Sequence, residues 1–298
     1  MSQKALDMLE AEGIHCMREA AAQFERPVML YSIGKDSSVL LHLAKKAFAP
    51  AKIPFPLLHV DTGFKFREMI SFRDRIADQF NVELRVEKNT EEEALQLTAM
   101  EAATDRYIYI KKTKPLLEAL QRDGYDCAFG GARRDEEQAR AKERIFSVRE
   151  DGSSWNPKAQ RPELWNIYNG KLLPGQSMRV FPLSNWTELD IWEYIRRERI
   201  DIVPLYYAQK RQVVYRGGMM LRVDEYVQPE PSEQVDMVWC RYRTLGCSPS
   251  TGAVPSEAIN LDEIIEEIIN SDASERSGRA IDRGSESAME KKKREGYF

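Results

Sequence analysis

Residues 28–38 read Val-Met-Leu-Tyr-Ser-Ile-Gly-Lys-Asp-Ser-Ser, an apolar strand pattern that runs directly into a polar, glycine-bearing turn. Leu40, Leu43, Ala44 and Ala47 follow at helical spacing, so the string predicts strand, loop and helix in succession. A tight loop there turns its backbone N–H groups inward, and the N-terminus of the helix from Ser37 to Ala47 adds about half a positive charge. Ser32, Ile33, Gly34, Lys35 and Asp36 therefore predict a site for a phosphate-rich ligand. The competing reading is an ordinary turn in which Asp36 or Ser37 caps the helix.

Working outward, strand-like runs alternate with helical patterns. Residues 56–60, 82–86, 126–130 and 179–182 read as further strands, and residues 66–77 and 91–122 as helices. The expected fold is α/β, a Rossmann-like parallel sheet with helices on both faces, because repeats of this length make right-handed crossovers. Ligands in such sheets bind at the carboxyl ends of the strands. Three polar loops fall there: 32–36, His59-Val60-Asp61-Thr62-Gly63, and Gly130-Gly131-Ala132-Arg133-Arg134-Asp135.

Each loop carries groups suited to a nucleotide. Lys35 brings a point charge to phosphates, and Ser32, Ser37 and Ser38 bring hydroxyl donors, although Ser38 reads equally as a buried first-turn serine. Asp36 beside phosphate implies a cation between them, so a Mg²⁺ ligand is expected there. Asp61 is placed to accept from ribose hydroxyls or the adenine amine, with His59 and Thr62 beside it. Gly130 and Gly131 permit close backbone approach, and the planar forks of Arg133 and Arg134 suit a tetrahedral oxyanion. Asp135 opens the next helix and favours its dipole in either case. Thr187 with Asp190 reads as a helix capping box, and Trp186 and Trp192 as core.

The remaining sequence sets limits. The 298 residues, 42% of them hydrophobic, suffice for one large α/β domain or a domain with an appendage. A formal charge of −4 argues against nucleic acid and anionic membrane as partners, so any anion site is local. Cys16, Cys127, Cys240 and Cys247 show no zinc-ligand spacing, and no apolar run reaches membrane-spanning length, which predicts a cytoplasmic protein with reduced thiols. Leu6, Leu9, Met17 and Phe24 predict an amphipathic N-terminal helix. Residues 140–178 read as a long basic loop bearing Trp155 and Trp165. The βα rhythm fades from Asp224, giving an expected division into a nucleotide-binding domain, 1–223, and a partner-binding segment, 224–298, with an extended C-terminal arm.

Ser32-x-Gly34-Lys35-Asp36-Ser37 resembles the PP-loop of the ATP pyrophosphatases, the adenine nucleotide alpha hydrolase-like superfamily, which split ATP between its α and β phosphates. A Walker A loop needs glycine where Met29 stands and Ser or Thr where Asp36 stands. Longer strings, 31–41, 54–68, 128–145, 161–165, 180–195, 202–206 and Arg243-Thr244-Leu245-Gly246-Cys247, narrow the likeness. So do Thr251-Gly252-Ala253-Val254 and the tail from Ser274 to Phe298. Together they are similar to the small, nucleotide-binding subunit of heterodimeric bacterial sulfate adenylyltransferase.

That resemblance implies an enzyme of sulfate assimilation that transfers AMP from ATP to sulfate, giving adenosine 5′-phosphosulfate and pyrophosphate. It also implies a large GTPase subunit as partner, with GTP hydrolysis driving an uphill reaction. Lys35, Arg133 and Arg134 would be catalytic: the arginines hold sulfate in line while the loop and Mg²⁺ stabilise departing pyrophosphate. Residues 95–110 and Ser248-Pro249-Ser250 depart from the family's usual pattern, the first at the expected nucleotide or sulfate pocket. A phosphosulfate reductase shares the loop but requires a C-terminal redox cysteine, and the last 50 residues hold none. A thiolase would need a catalytic cysteine pair, and a regulatory subunit would bind nucleotide without catalysing its exchange.

Overall fold

Leu6, Cys16, Met17 and Ala20 lie along one stripe of helix α1 (Gln3–Gln23), and burying that stripe fixes α1 against the central sheet. The computed structural model describes residues 3–102, 104–136 and 138–271. The sheet comprises β1 (Pro27–Leu30), β2 (Leu57–Val60), β3 (Leu84–Glu87), β4 (Cys127–Phe129), β5 (Phe146–Arg149) and β6 (Ser177–Val180), in the order β3-β2-β1-β4-β6-β5. Pairings within β3-β2-β1-β4-β6 are parallel. Crossover helices α2 (Lys35–Phe48) and α3 (Arg67–Phe80) join the first three strands.

Alternation along the strands divides the core. Met29, Leu57 and Phe129 face α1 and α2, whereas Val28, Leu58 and Ala128 face Leu116, Ala119 and Leu120. Both faces are thus covered, as continuous apolar strands require. The helical stretch expected over 91–122 is interrupted: α4 (Glu92–Gln96), α5 (Asp105–Ile108) and α6 (Lys114–Arg122) are separated by a 3₁₀ turn and a π-helical turn at Tyr109–Thr113.

Two sequence expectations need correction. The long loop expected at 140–178 overlaps the end of helix α7 (Gln138–Ala141) and contains strand β5, which pairs antiparallel with β6, so the sheet is largely rather than wholly parallel. Its apolar residues Phe146 and Val148 are only four positions long in total with their neighbours, too short to stand out among basic residues. The second correction concerns the C-terminal third. Helix α8 (Glu188–Glu198) is followed by β7 (Gln209–Arg216), β8 (Met219–Arg222), β9 (Asp236–Arg241) and β10 (Val254–Pro255), an antiparallel sheet ordered β10-β9-β7-β8.

The division expected at 223/224 falls inside that sheet, because β7 pairs with β8 on one side and β9 on the other. Gly217 and Gly218, at φ 55° and 73°, make the tight turn between β7 and β8 that both left-handed positions allow. Helix α9 (Leu261–Ile269) then buries Ile264 and Ile265 in the main core. The described chain is therefore folded to α9, and the tail expected as an extended arm lies, from residue 272 on, outside the described residues.

Candidate functional site

Ile33 adopts φ 69° while fully buried, a conformation that a β-branched residue takes only where packing imposes it. Gly34 itself has φ −79° and serves as N-cap of α2, and having no side chain it leaves the first turn without a side-chain cap. The Gly34 carbonyl accepts from Ser37 Oγ at 2.9 Å and Ser38 Oγ at 3.1 Å. The Lys35 N–H donates to the Tyr206 hydroxyl at 2.8 Å. These bonds draw the loop into an inward-facing cradle at the carboxyl end of β1.

Asp36 lies at the electrostatic centre. Its Oδ1 accepts from Arg133 Nε at 2.7 Å and its Oδ2 from Lys35 Nζ at 3.1 Å. Burial pushes its carboxyl up, but Lys35 and then Arg133 outweigh that and hold it at about 2. Gly131 makes this packing possible: a Cβ there would stand 3.2 Å from Asp36 Cβ and 3.3 Å from its carbonyl carbon. The end of β4 thereby touches the first turn of α2.

One cavity opens over the loop. Of the residues named from sequence, Ser32, Gly34, Lys35, Asp36, Ser37 and Gly131 form its polar end, and His59 and Thr62 contribute from the end of β2. Leu30, Leu58, Val60, Ile108 and Leu116 give it an apolar side suited to a flat base. The His59 Nδ1–H donates to the Tyr31 carbonyl at 2.8 Å. Burial, with Lys65 acting in the same direction against that bond, pushes His59 down to about 3, so the ring is neutral.

Other predicted residues stand behind or beside the cavity. Ile33 and Ser38 support the loop, and Gly130 extends strand pairing through its N–H to the Val180 carbonyl. Asp61 Oδ1 accepts from the Gly63 N–H at 2.8 Å, an Asx turn that shapes the β2 loop. Arg133 is fully buried and bridges Asp36 to Asp135. Asp135 also accepts from the Glu188 N–H at 3.1 Å and so ties this loop to α8. Arg134 turns away, donating to Asn185 Oδ1 and lying 4.0 Å from Glu163. The adjacent arginines thus engage different partners, and the Glu136 N–H donating to the Arg133 carbonyl shows that the chain turns there.

Sequence reasoning missed several lining groups: Lys65, Lys112, Arg140, Tyr107, Tyr206 and the segment 244–247. Tyr107 donates to the Thr62 carbonyl at 3.1 Å, and Thr62 Oγ1 lies 2.9 Å from Cys247 Sγ. An isolated bridge between Lys65 and Cys247 folds the C-terminal segment over the nucleotide loops. Two signals were visible: the Arg243–Cys247 string, and the divergence at 95–110, whose Ala102, Tyr107 and Ile108 line the cavity.

Residues 26–253 match the family model described as phosphoadenosine phosphosulfate reductase domain. Sulfate adenylyltransferase subunit 2 of Pseudoalteromonas translucida is 60% identical over 294 residues, 98% of each chain. The chain belongs to the sulfate adenylyltransferase subunit 2 family. The subunit 2 protein of Colwellia psychrerythraea is 58% identical, again over 98% of both chains. Candida glabrata FMN adenylyltransferase, solved with ATP, shares the fold with a TM-score of 0.50 at 16% identity, covering 93% of this chain and 86% of that one. Membership in the subunit 2 family makes the chain part of a nucleotidyltransferase. No helix among the described residues is long and apolar enough to cross a membrane.

Proposed function

We propose that this chain carries the adenylyl-transfer site of a sulfate adenylyltransferase, binding ATP and passing its AMP to sulfate. The observation that supports this best is the first turn of α2, which with Lys35 lines a cavity with an apolar side, in a chain of the subunit 2 family. In this reading the loop N–H groups and Lys35 receive the β and γ phosphates, and the base lies against Leu58, Val60 and Leu116. A sulfate oxygen attacks the α-phosphorus, and the α–β bridging P–O bond breaks. Its electron pair leaves on pyrophosphate, which the cradle stabilises. Sulfate is itself the nucleophile, so no side chain needs to form a covalent bond.

The residues do not present a magnesium site on their own. Among the described residues no three potential ligands gather, and both Asp36 oxygens are engaged by cations. The expected Mg²⁺ is therefore one that travels with the phosphates of ATP, and its role is to neutralise their charge. The relatives' designation as subunit 2 supports assembly with another subunit. We assign GTP hydrolysis to that partner, because the mixed anhydride product lies uphill of ATP and sulfate. A cytoplasmic location fits four buried, unpaired cysteines. The same burial disfavours the reductase chemistry of the domain family's description, which needs an accessible thiol.

The decisive experiment incubates the full chain and its partner with ATP, sulfate and labelled pyrophosphate. Sulfate-dependent entry of label into ATP is the expected result; release of ADP and orthophosphate instead would overturn the reading.

A further inference from the structure

With Arg133 locked onto Asp36 and Arg134 directed at Asn185, the sulfate expected between them needs another host. A second cationic region adjoins the cavity where α7 meets the edge of the sheet. Arg140 lines the cavity, and its side chain is only 11% exposed. Its one described ionic contact runs from the buried Nε to Glu136 Oε2 at 3.2 Å, outside hydrogen-bonding geometry. A guanidinium has five N–H donors in a planar fork, so most of the capacity of Arg140 remains for a ligand.

Two further arginines lie behind it. Arg149 on β5, 2% exposed, pairs with Glu143 and donates to Ser147 Oγ at 2.7 Å. Arg179 on β6, 2% exposed, stands opposite Ser147 in the strand register. Around this cluster the described carboxylates are Glu136 and Glu143, while Glu163 accepts from the Ile145 and Phe146 N–H groups nearer Arg134. Arg149 and Arg179 thus bring two guanidiniums into a region where little water enters. Burial, then the charge of Arg149, pushes Arg179 down to about 9.

We propose that Arg140, with Arg149 and Arg179 behind it, forms the sulfate subsite of this cavity. The inference rests on the adenylyl-transfer reading. Two anions must meet there: the diphosphate has the α2 N-terminus and Lys35, and sulfate takes the second positive region. Lys65 and Lys112 also line the cavity, but each offers a point charge, whereas a fork matches two oxygens of a tetrahedral dianion. Sulfate and the outer phosphate of ATP share this chemistry, so the test must tell them apart.

The assay is sulfate-dependent pyrophosphate–ATP exchange by the full chain with its partner, comparing wild type, Arg140→Gln, Arg140→Lys and Lys112→Gln. Arg140→Gln is expected to raise the sulfate KM about tenfold or more, with the ATP and pyrophosphate KM values within about twofold. Arg140→Lys should recover part of the sulfate affinity at an unchanged melting temperature, and it carries the test if the glutamine variant does not fold. An unchanged sulfate KM in the Arg140 variants overturns the subsite. So does an equal rise for ATP, or a sulfate defect found in Lys112→Gln alone. Absence of exchange in wild type overturns the adenylyl-transfer reading itself and this inference with it; exchange in wild type with unaltered Arg140 variants defeats the subsite alone.

Discussion

Asp36 and Arg133 show how residue identity can be read while residue role is not. Both were expected to meet ligand or metal, yet each neutralises the other, and Lys35 completes the arrangement. Asp36→Asn removes the counter-charge of a fully buried guanidinium, so a loss of about 3 kcal/mol in denaturant stability is expected. Arg133→Ala should lose activity together with stability. Lys35→Ala should abolish exchange, with a far smaller change in melting. Histidine 59 gives a pH signature. The unfolded chain protonates this ring below about 6.5, whereas the folded one does so only near 3, so the unfolded state binds more protons between those values. Stability is therefore expected to fall as pH drops through that window, and His59→Gln should flatten the acid limb of melting temperature against pH. An unchanged limb would show that other groups set it.

At the scale of elements, the first sheet was legible because its strands are continuous apolar runs separated by helices of ordinary length. Strand β5 was not, since four residues in a basic stretch carry too little pattern, and β7 to β10 were not, since their pairing depends on partners distant in sequence. Caps are local and were readable: Thr187 accepts from the Asp190 N–H, and Asp190 accepts back from the Thr187 N–H at 2.8 Å. Thr187→Ala should cost about 1 kcal/mol, measured by urea unfolding. The opposite end of α8 closes on Arg199 at φ 53°, a left-handed position that glycine occupies without strain. Arg199→Gly is expected to stabilise the protein by up to about 1 kcal/mol without altering exchange.

For the whole molecule, the candidate site draws on β1, β2, β4, the 102–116 region and the 244–250 segment, so its completeness follows from tertiary assembly rather than from any one motif. That is why the loop after β1 reads from a single string, whereas Tyr107 and Cys247 were marked only by segments to which sequence gave no role, and Arg140 only by a basic stretch. It also predicts that ATP couples to global stability: at a hundredfold excess over Kd, ligand should add about 2.7 kcal/mol, seen as a rise in melting temperature that Lys35→Ala abolishes. The Tyr206 hydroxyl has a mechanical consequence. It grips the Lys35 N–H from a position only three residues before β7, and its ring packs edge-on against Trp192 at 5.3 Å. This side chain is a short strut between the two sheets, so neither layer can slide past the other without straining the joint where the diphosphate is expected to rest.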